Sequence, residues 1–91
     1  MKAIINKKLY DTDKATEIFS TLDQYLGSTL GIDLIRSRRT KIYKTKNGNY
    51  FMTCNTQIIK TMSEKEVKEY ILNKDIEKYL KLFGSDGIEE G

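Results

Sequence analysis

The chain has 91 residues, with 16 Lys and Arg against 13 Asp and Glu, no His and a single Cys. That length corresponds to one small domain. The absence of His and the lone Cys54 exclude His-based acid–base catalysis, a Cys/His zinc site and an internal disulfide framework.

The 38% hydrophobic content suffices for one core. No apolar run approaches the roughly 18 residues of a membrane span. The expectation is one domain over 1–84, a disordered Gly- and acid-rich tail over 85–91, no membrane association and a cytoplasmic setting that suits a reduced cysteine. The opening residues, Met1 to Lys8, are basic like a signal peptide but lack its apolar centre.

Taken in chain order, residues 2–9 read as a first strand, edge-like because lysines interrupt it. Asp11 or Thr12 then caps an N-terminal helix whose face is Ala15, Ile18, Phe19, Leu22 and Leu26. Gly27 supplies its left-handed stop. Residues 28–34 read as a loop followed by a short strand.

Arg36 to Lys46 reads as a strand, Asn47-Gly48 as a tight turn, and Asn49 to Cys54 as the returning strand. A two-residue loop pairs Tyr43 with Met52, and a three-residue loop with a bulge pairs Tyr43 with Phe51. The second is favoured, because it puts both rings on one buried face. Gln57 to Lys60 is a further short strand. Ser63-Glu64-Lys65-Glu66 is a capping box, with Met62 and Val67 as its hydrophobic staple. Val67, Tyr70 and Ile71 form that helix's buried face. Asp75 caps a last helix bearing Ile76, Tyr79, Leu80 and Phe83, and Gly84 stops it. The expected fold is α+β: a small antiparallel sheet of two to four strands, packed with an N-terminal helix and two short C-terminal helices.

Charge is distributed unevenly. From Arg36 to Lys60 there are seven basic residues and no acid, while the segments on either side are net acidic. An acid-free array of Lys and Arg suits phosphate, and exposed aromatics add stacking on bases. The candidate partner-binding residues are therefore Arg36, Arg38, Arg39, Lys41, Lys44, Lys46 and Tyr50, with Tyr43 beside them. Alternation along a strand divides them: Arg36, Arg38, Lys44 and Lys46 fall on one face, Arg39 and Lys41 on the other.

Residues for chemistry are sparse. Gly27 and Gly31 do not make a phosphate-cradling motif. Asp11 and Asp13 lack the glycine and closing glutamate of a calcium loop. Cys54 has no His to activate it. The expectation is a protein without catalytic residues, metal or cofactor.

Three segments in order carry a family resemblance: Lys7-Lys8-Leu9-Tyr10-Asp11-Thr12-Asp13-Lys14-Ala15, Lys41-Ile42-Tyr43-Lys44-Thr45-Lys46-Asn47-Gly48-Asn49-Tyr50-Phe51, and Met62-Ser63-Glu64-Lys65-Glu66-Val67-Lys68-Glu69-Tyr70 with the Ile76 to Gly84 ending. This pattern resembles a family of small, mostly uncharacterised Firmicutes proteins carried on phages and other mobile elements. The chain departs from it at Thr53 to Gln57, where the family has a Gly-rich segment, and in its Arg36 to Arg39 cluster. The resemblance supplies no catalytic residues. It implies a stoichiometric inhibitor of host defence, anti-CRISPR-like, whose partner is a protein or nucleoprotein complex such as a CRISPR effector, engaged through the basic hairpin with possible direct nucleic-acid contact. The alternative is a small nucleic-acid-binding or regulatory protein acting on free DNA or RNA.

Overall fold

In the computed structural model, which describes residues 1–84, the N-terminal segment is a hairpin of two strands rather than one. β1 (Lys2–Ile5) and β2 (Lys8–Asp11) pair antiparallel, with Ile5 opposite Lys8. Asn6 and Lys7 turn the chain with φ of 51° and 64°. Two left-handed residues in a two-residue loop match the twist of the flanking strands, and Asn tolerates that conformation well. The tail expected at 85–91 lies outside the described residues.

The helix expected after Asp11 does not form. Asp11 does act locally as an acceptor: its Oδ1 takes the Asp13 amide at 3.0 Å, and its carbonyl takes the Lys14 amide at 3.2 Å. These bonds close a turn into β3 (Thr16–Thr29), a strand of 14 residues. The segment is rich in β-branched and aromatic residues, among them Thr16, Ile18, Phe19, Thr21 and Tyr25, which favour extended chain. The helical spacing has a specific origin. The register of β3 shifts between Glu17 and Phe19, and this irregularity sets Ile18 beside Phe19 out of strict alternation. Beyond it Leu22 and Leu26 stay exposed while Phe19 is buried, so the apolar set never shares one face.

The sheet runs β3-β4-β5-β6, all antiparallel, with β4 (Ile32–Lys44), β5 (Tyr50–Cys54) and β6 (Gln57–Met62). Tyr43 faces Phe51, the favoured register. The loop is the three-residue form. Thr45 N–H bonds the Asn49 carbonyl at 2.8 Å, Gly48 N–H bonds the Thr45 carbonyl at 3.0 Å, and Gly48 takes φ of 82°. Asn47 keeps a negative φ, so only the glycine uses left-handed space.

The sheet is covered on both faces. On one, Phe19, Ile42, Tyr50, Met52 and Met62 pack with Val67, Ile71 and Tyr79 of the C-terminal helices. On the other, Tyr10 meets Phe51 edge-on at 5.5 Å, and Tyr43 stacks on Phe51 at 5.2 Å. Phe51, Ile42, Ile71 and Val67 are fully buried, each contributing about 1.5–3 kcal/mol of transfer free energy.

α1 (Glu64–Lys74) begins at the expected capping box. Ser63 Oγ accepts the Glu66 amide at 3.2 Å, and Glu66 Oε1 accepts the Ser63 amide at 3.2 Å. The Ser63 backbone N–H first, and the Ser63 hydroxyl second, hold the Glu66 carboxyl below its ordinary range. α2 (Ile76–Phe83) begins at Asp75, whose Oδ1 takes the Lys78 amide at 3.1 Å, and ends at Gly84 with φ of 71°. Among the described residues, strand residues outnumber helical ones more than two to one. The α+β arrangement with an N-terminal helix is thus corrected to a mostly-β fold, in which a two-stranded hairpin and two C-terminal helices flank a four-stranded sheet.

Candidate functional site: a basic beta arm

β3 and β4 pair over their whole length, but β5 meets β4 only from Thr40 to Lys44. The remainder, Leu22–Thr29 against Ile32–Arg39, therefore runs past the body of the sheet as a two-stranded arm. Eight pairs at about 3.3 Å per residue give it a length of roughly 26 Å. The radius of gyration is 15.5 Å, against about 12 Å for a compact domain of this length. Leu30 and Gly31 form the tip, with φ of 53° and 77°.

Two contacts fix the arm's root. Asn55, in the turn between β5 and β6, takes the place of a further β5 residue. Its N–H bonds the Arg39 carbonyl at 2.8 Å, and its Oδ1 accepts the Arg39 amide at 3.1 Å. From the helical side, Lys74 Nζ reaches Asp23 Oδ1 at 3.4 Å and lies 5.8 Å from the Tyr70 ring.

The arm spreads the expected binding residues along β4. Arg36 and Arg38 share one face, opposite Tyr25 and Asp23. The Arg38 guanidinium lies 6.0 Å from the Tyr25 ring. The Arg36 side chain lies over Gly27, so close that a methyl group on Gly27 would stand 2.7 Å from Arg36 Nε. Arg39 and Lys41 belong to the opposite face. Arg39 Nη1 bonds Ser20 Oγ at 2.9 Å, and Lys41 Nζ pairs with Glu17 at 3.1 Å. Lys44 returns to the first face at the far end of the strand, 5.7 Å from the Tyr50 ring, and Lys46 sits in the exposed turn. The array thus divides as alternation requires. Arg36 and Arg38 come together; Arg39 and Lys41 face away and are engaged locally. Tyr50 is a core residue, only 8% exposed, and offers no stacking surface. Tyr43 is half-buried against Phe51.

Sequence reasoning missed the arm's own aromatic and its apolar residues. Tyr25 is half-exposed beneath Arg38. Leu26, Leu30, Ile32, Leu34 and Ile35 are all exposed, Leu30 almost completely. The available signal was Leu30-Gly31 between two β-prone runs, obscured because Leu is an uncommon residue at a left-handed turn position.

Two concavities, of about 430 Å³ beside Tyr10 and Asn49 and about 380 Å³ between Glu69 and Tyr79, flank the body rather than the arm. Among the described residues no three His, Cys, Asp or Glu side chains gather as a metal site. Comparison with protein-family models, curated proteins and solved structures finds no match to this chain.

Proposed function

We propose that this chain is a non-enzymatic binding protein, an anti-CRISPR-like inhibitor carried by a mobile element, which docks on a nucleic-acid-guided defence complex through the basic face of its arm. The observation that carries the reading is the pairing of Arg36 and Arg38 on one face of a projecting ribbon, with Tyr25 half-exposed beneath Arg38. Phosphate contacts from such arginines provide affinity, and an aromatic ring beside them provides a surface for a base. Arg39, Lys41 and Lys44 extend the positive field along β4, Lys46 carries it into the turn beyond, and all four assist encounter more than contact.

The test is inhibition of a guide-loaded CRISPR effector by wild type and by the Arg36→Glu/Arg38→Glu variant. The reading requires the variant to lose inhibition and to show a flatter salt dependence, by about 0.9 in log–log slope for each phosphate contact removed. Full inhibition by the variant contradicts it.

A second reading, direct binding of free DNA or RNA, is favoured by the ribbon itself, since the roughly 12 Å major groove admits a two-stranded β element. A gel-shift series at several salt concentrations separates the two, because only the second requires affinity without a protein partner.

A further inference from the structure

Beyond the Asn55 contacts at Arg39, no strand among the described residues pairs with either long edge of the arm, and the two edges differ in charge. Along β4 the arm carries Asp33, Arg36, Arg38 and Arg39. Along β3, residues 24–29 read Gln-Tyr-Leu-Gly-Ser-Thr, with no charge and no proline. Exposed edges are ordinarily protected against pairing by Lys, Pro or a bulge. β6, at the other side of the sheet, has Lys60 and a register shift in its pairing with β5. The distal half of β3 has none of these.

We propose that this edge of β3 pairs antiparallel with the same edge of a second copy, about a two-fold axis through Leu26. The phase of the backbone supports this register. A two-residue loop makes Thr29 and Ile32 a hydrogen-bonded pair, so Gln24, Leu26 and Ser28 direct their amides and carbonyls outward. With the axis at Leu26, the two copies of Leu26 exchange hydrogen bonds with each other, and Gln24 of each exchanges them with Ser28 of the other. Every residue of the joined run is uncharged.

Side chains favour the same arrangement. Leu22, Leu26 and Ile35 lie on one face of the arm and are 48%, 70% and 76% exposed. Pairing the β3 edges joins the two sets into one apolar stripe. Charge decides between the edges. Joined through β3, the ribbon runs β4-β3-β3-β4, and the two basic strands are the outermost, roughly 14 Å apart at three strand spacings. That exceeds the Debye length of about 8 Å at physiological salt, so their repulsion is largely screened. Joined through β4, the arginines of both copies would be adjacent. The neutral β3 edge carries no Lys or Arg to attract phosphate, which favours a second copy of the chain over nucleic acid. An isolated two-stranded ribbon is marginal in water, and a four-stranded one is not.

The joined run is short, so the dimer is a weak one. Sedimentation of the full chain from about 1 to about 300 µM should show a monomer–dimer equilibrium with its midpoint in the micromolar range. Leu26→Lys should sediment as monomer throughout while keeping the wild-type circular dichroism spectrum. A cross-link keeps the proposal testable should that variant misfold. In a Cys54→Ser background, Leu26→Cys should form a disulfide dimer under mild oxidant, and Ile35→Cys should not, because the two copies of Ile35 lie beyond disulfide reach. Wild type that is monomeric at the highest concentration, or equal cross-linking at both positions, overturns the proposal; the first result would leave the edge to a strand of another protein.

Discussion

Asn55 binds Arg39 through both its main chain and its side chain, at 2.8 and 3.1 Å. It stands where β5 ends and the arm begins, so it satisfies the last β4 groups that β5 would otherwise pair. Its φ of 54° is left-handed, which Asn accepts and Ala does not. Asn55→Ala should cost about 1–2 kcal/mol, from backbone strain plus a lost hydrogen bond. Asn55→Gly should recover the strain component alone. Chemical denaturation of the two variants gives the comparison, and hydrogen exchange should show the amide of Arg39 losing protection in both.

Thr53 is 1% exposed, and its Oγ1 has no hydrogen-bond partner among the described residues. Burying a hydroxyl unpaired costs about 1–3 kcal/mol. Thr53→Val has the same shape without that hydroxyl, and should raise stability by about 1 kcal/mol. The midpoint of urea unfolding should rise with an unchanged slope.

At the start of α1, Ser63→Ala removes one half of the capping box and should cost about 1 kcal/mol. The pH dependence follows from Glu66, whose carboxyl is held below its ordinary range first by the Ser63 backbone N–H and second by the Ser63 hydroxyl. A lowered native value means that the unfolded chain binds the proton more readily. The Glu66 contribution is present above the ordinary glutamate range and is lost as pH falls through the lowered native value. Ser63→Ala keeps the backbone N–H and loses only the smaller share that the hydroxyl supplies, so both proteins should lose stability on acidification and the gap between them should narrow slightly without closing, since the Ser63 Oγ bond to the Glu66 amide survives protonation. Melts at a series of pH values check this.

Much of the body was legible from sequence because its signals are local. Ser63 and Glu66, Asp75, and Asn47 with Gly48 each specify a cap or turn within a few residues, although only Gly48 takes the left-handed conformation in the turn. The Tyr43–Phe51 register followed from requiring both rings on one buried face. The arm was not legible, because its determinants are tertiary. Leu22 and Leu26 fit a helical stripe only when the irregularity at Glu17–Phe19 is unknown, and the body closes over β4 only as far as Thr40. Gly27 is an instructive case. It reads as a helix stop, yet it is extended, and its missing side chain makes room for Arg36. Tyr50 was placed in the site by its neighbours in sequence, whereas the pairing of Lys44 with Tyr50 turns its ring into the core.

Gly27 offers a way to move one arginine without removing it. A methyl group there would meet Arg36 Nε and Cδ at 2.7 and 2.8 Å, both in a flexible side chain on an exposed surface. Gly27→Ala should therefore leave stability within about 0.5 kcal/mol of wild type, as exposed substitutions do. It should weaken inhibition of a guide-loaded effector by several-fold through displacement of the Arg36 guanidinium. Parallel melting and inhibition measurements separate the two effects.

The arm as binding element is the central claim, and excising it is the direct test. Replacing residues 24–37 with Asn-Gly closes the Asp23–Arg38 pair with a two-residue turn, and leaves the core, the Asn55 clamp and the Lys74–Asp23 contact in place. The measurement is inhibition of a guide-loaded CRISPR effector by the excised protein, after a cooperative melt has established that its body is folded. The account predicts a folded protein with no inhibition; a folded protein that inhibits as well as wild type would contradict it.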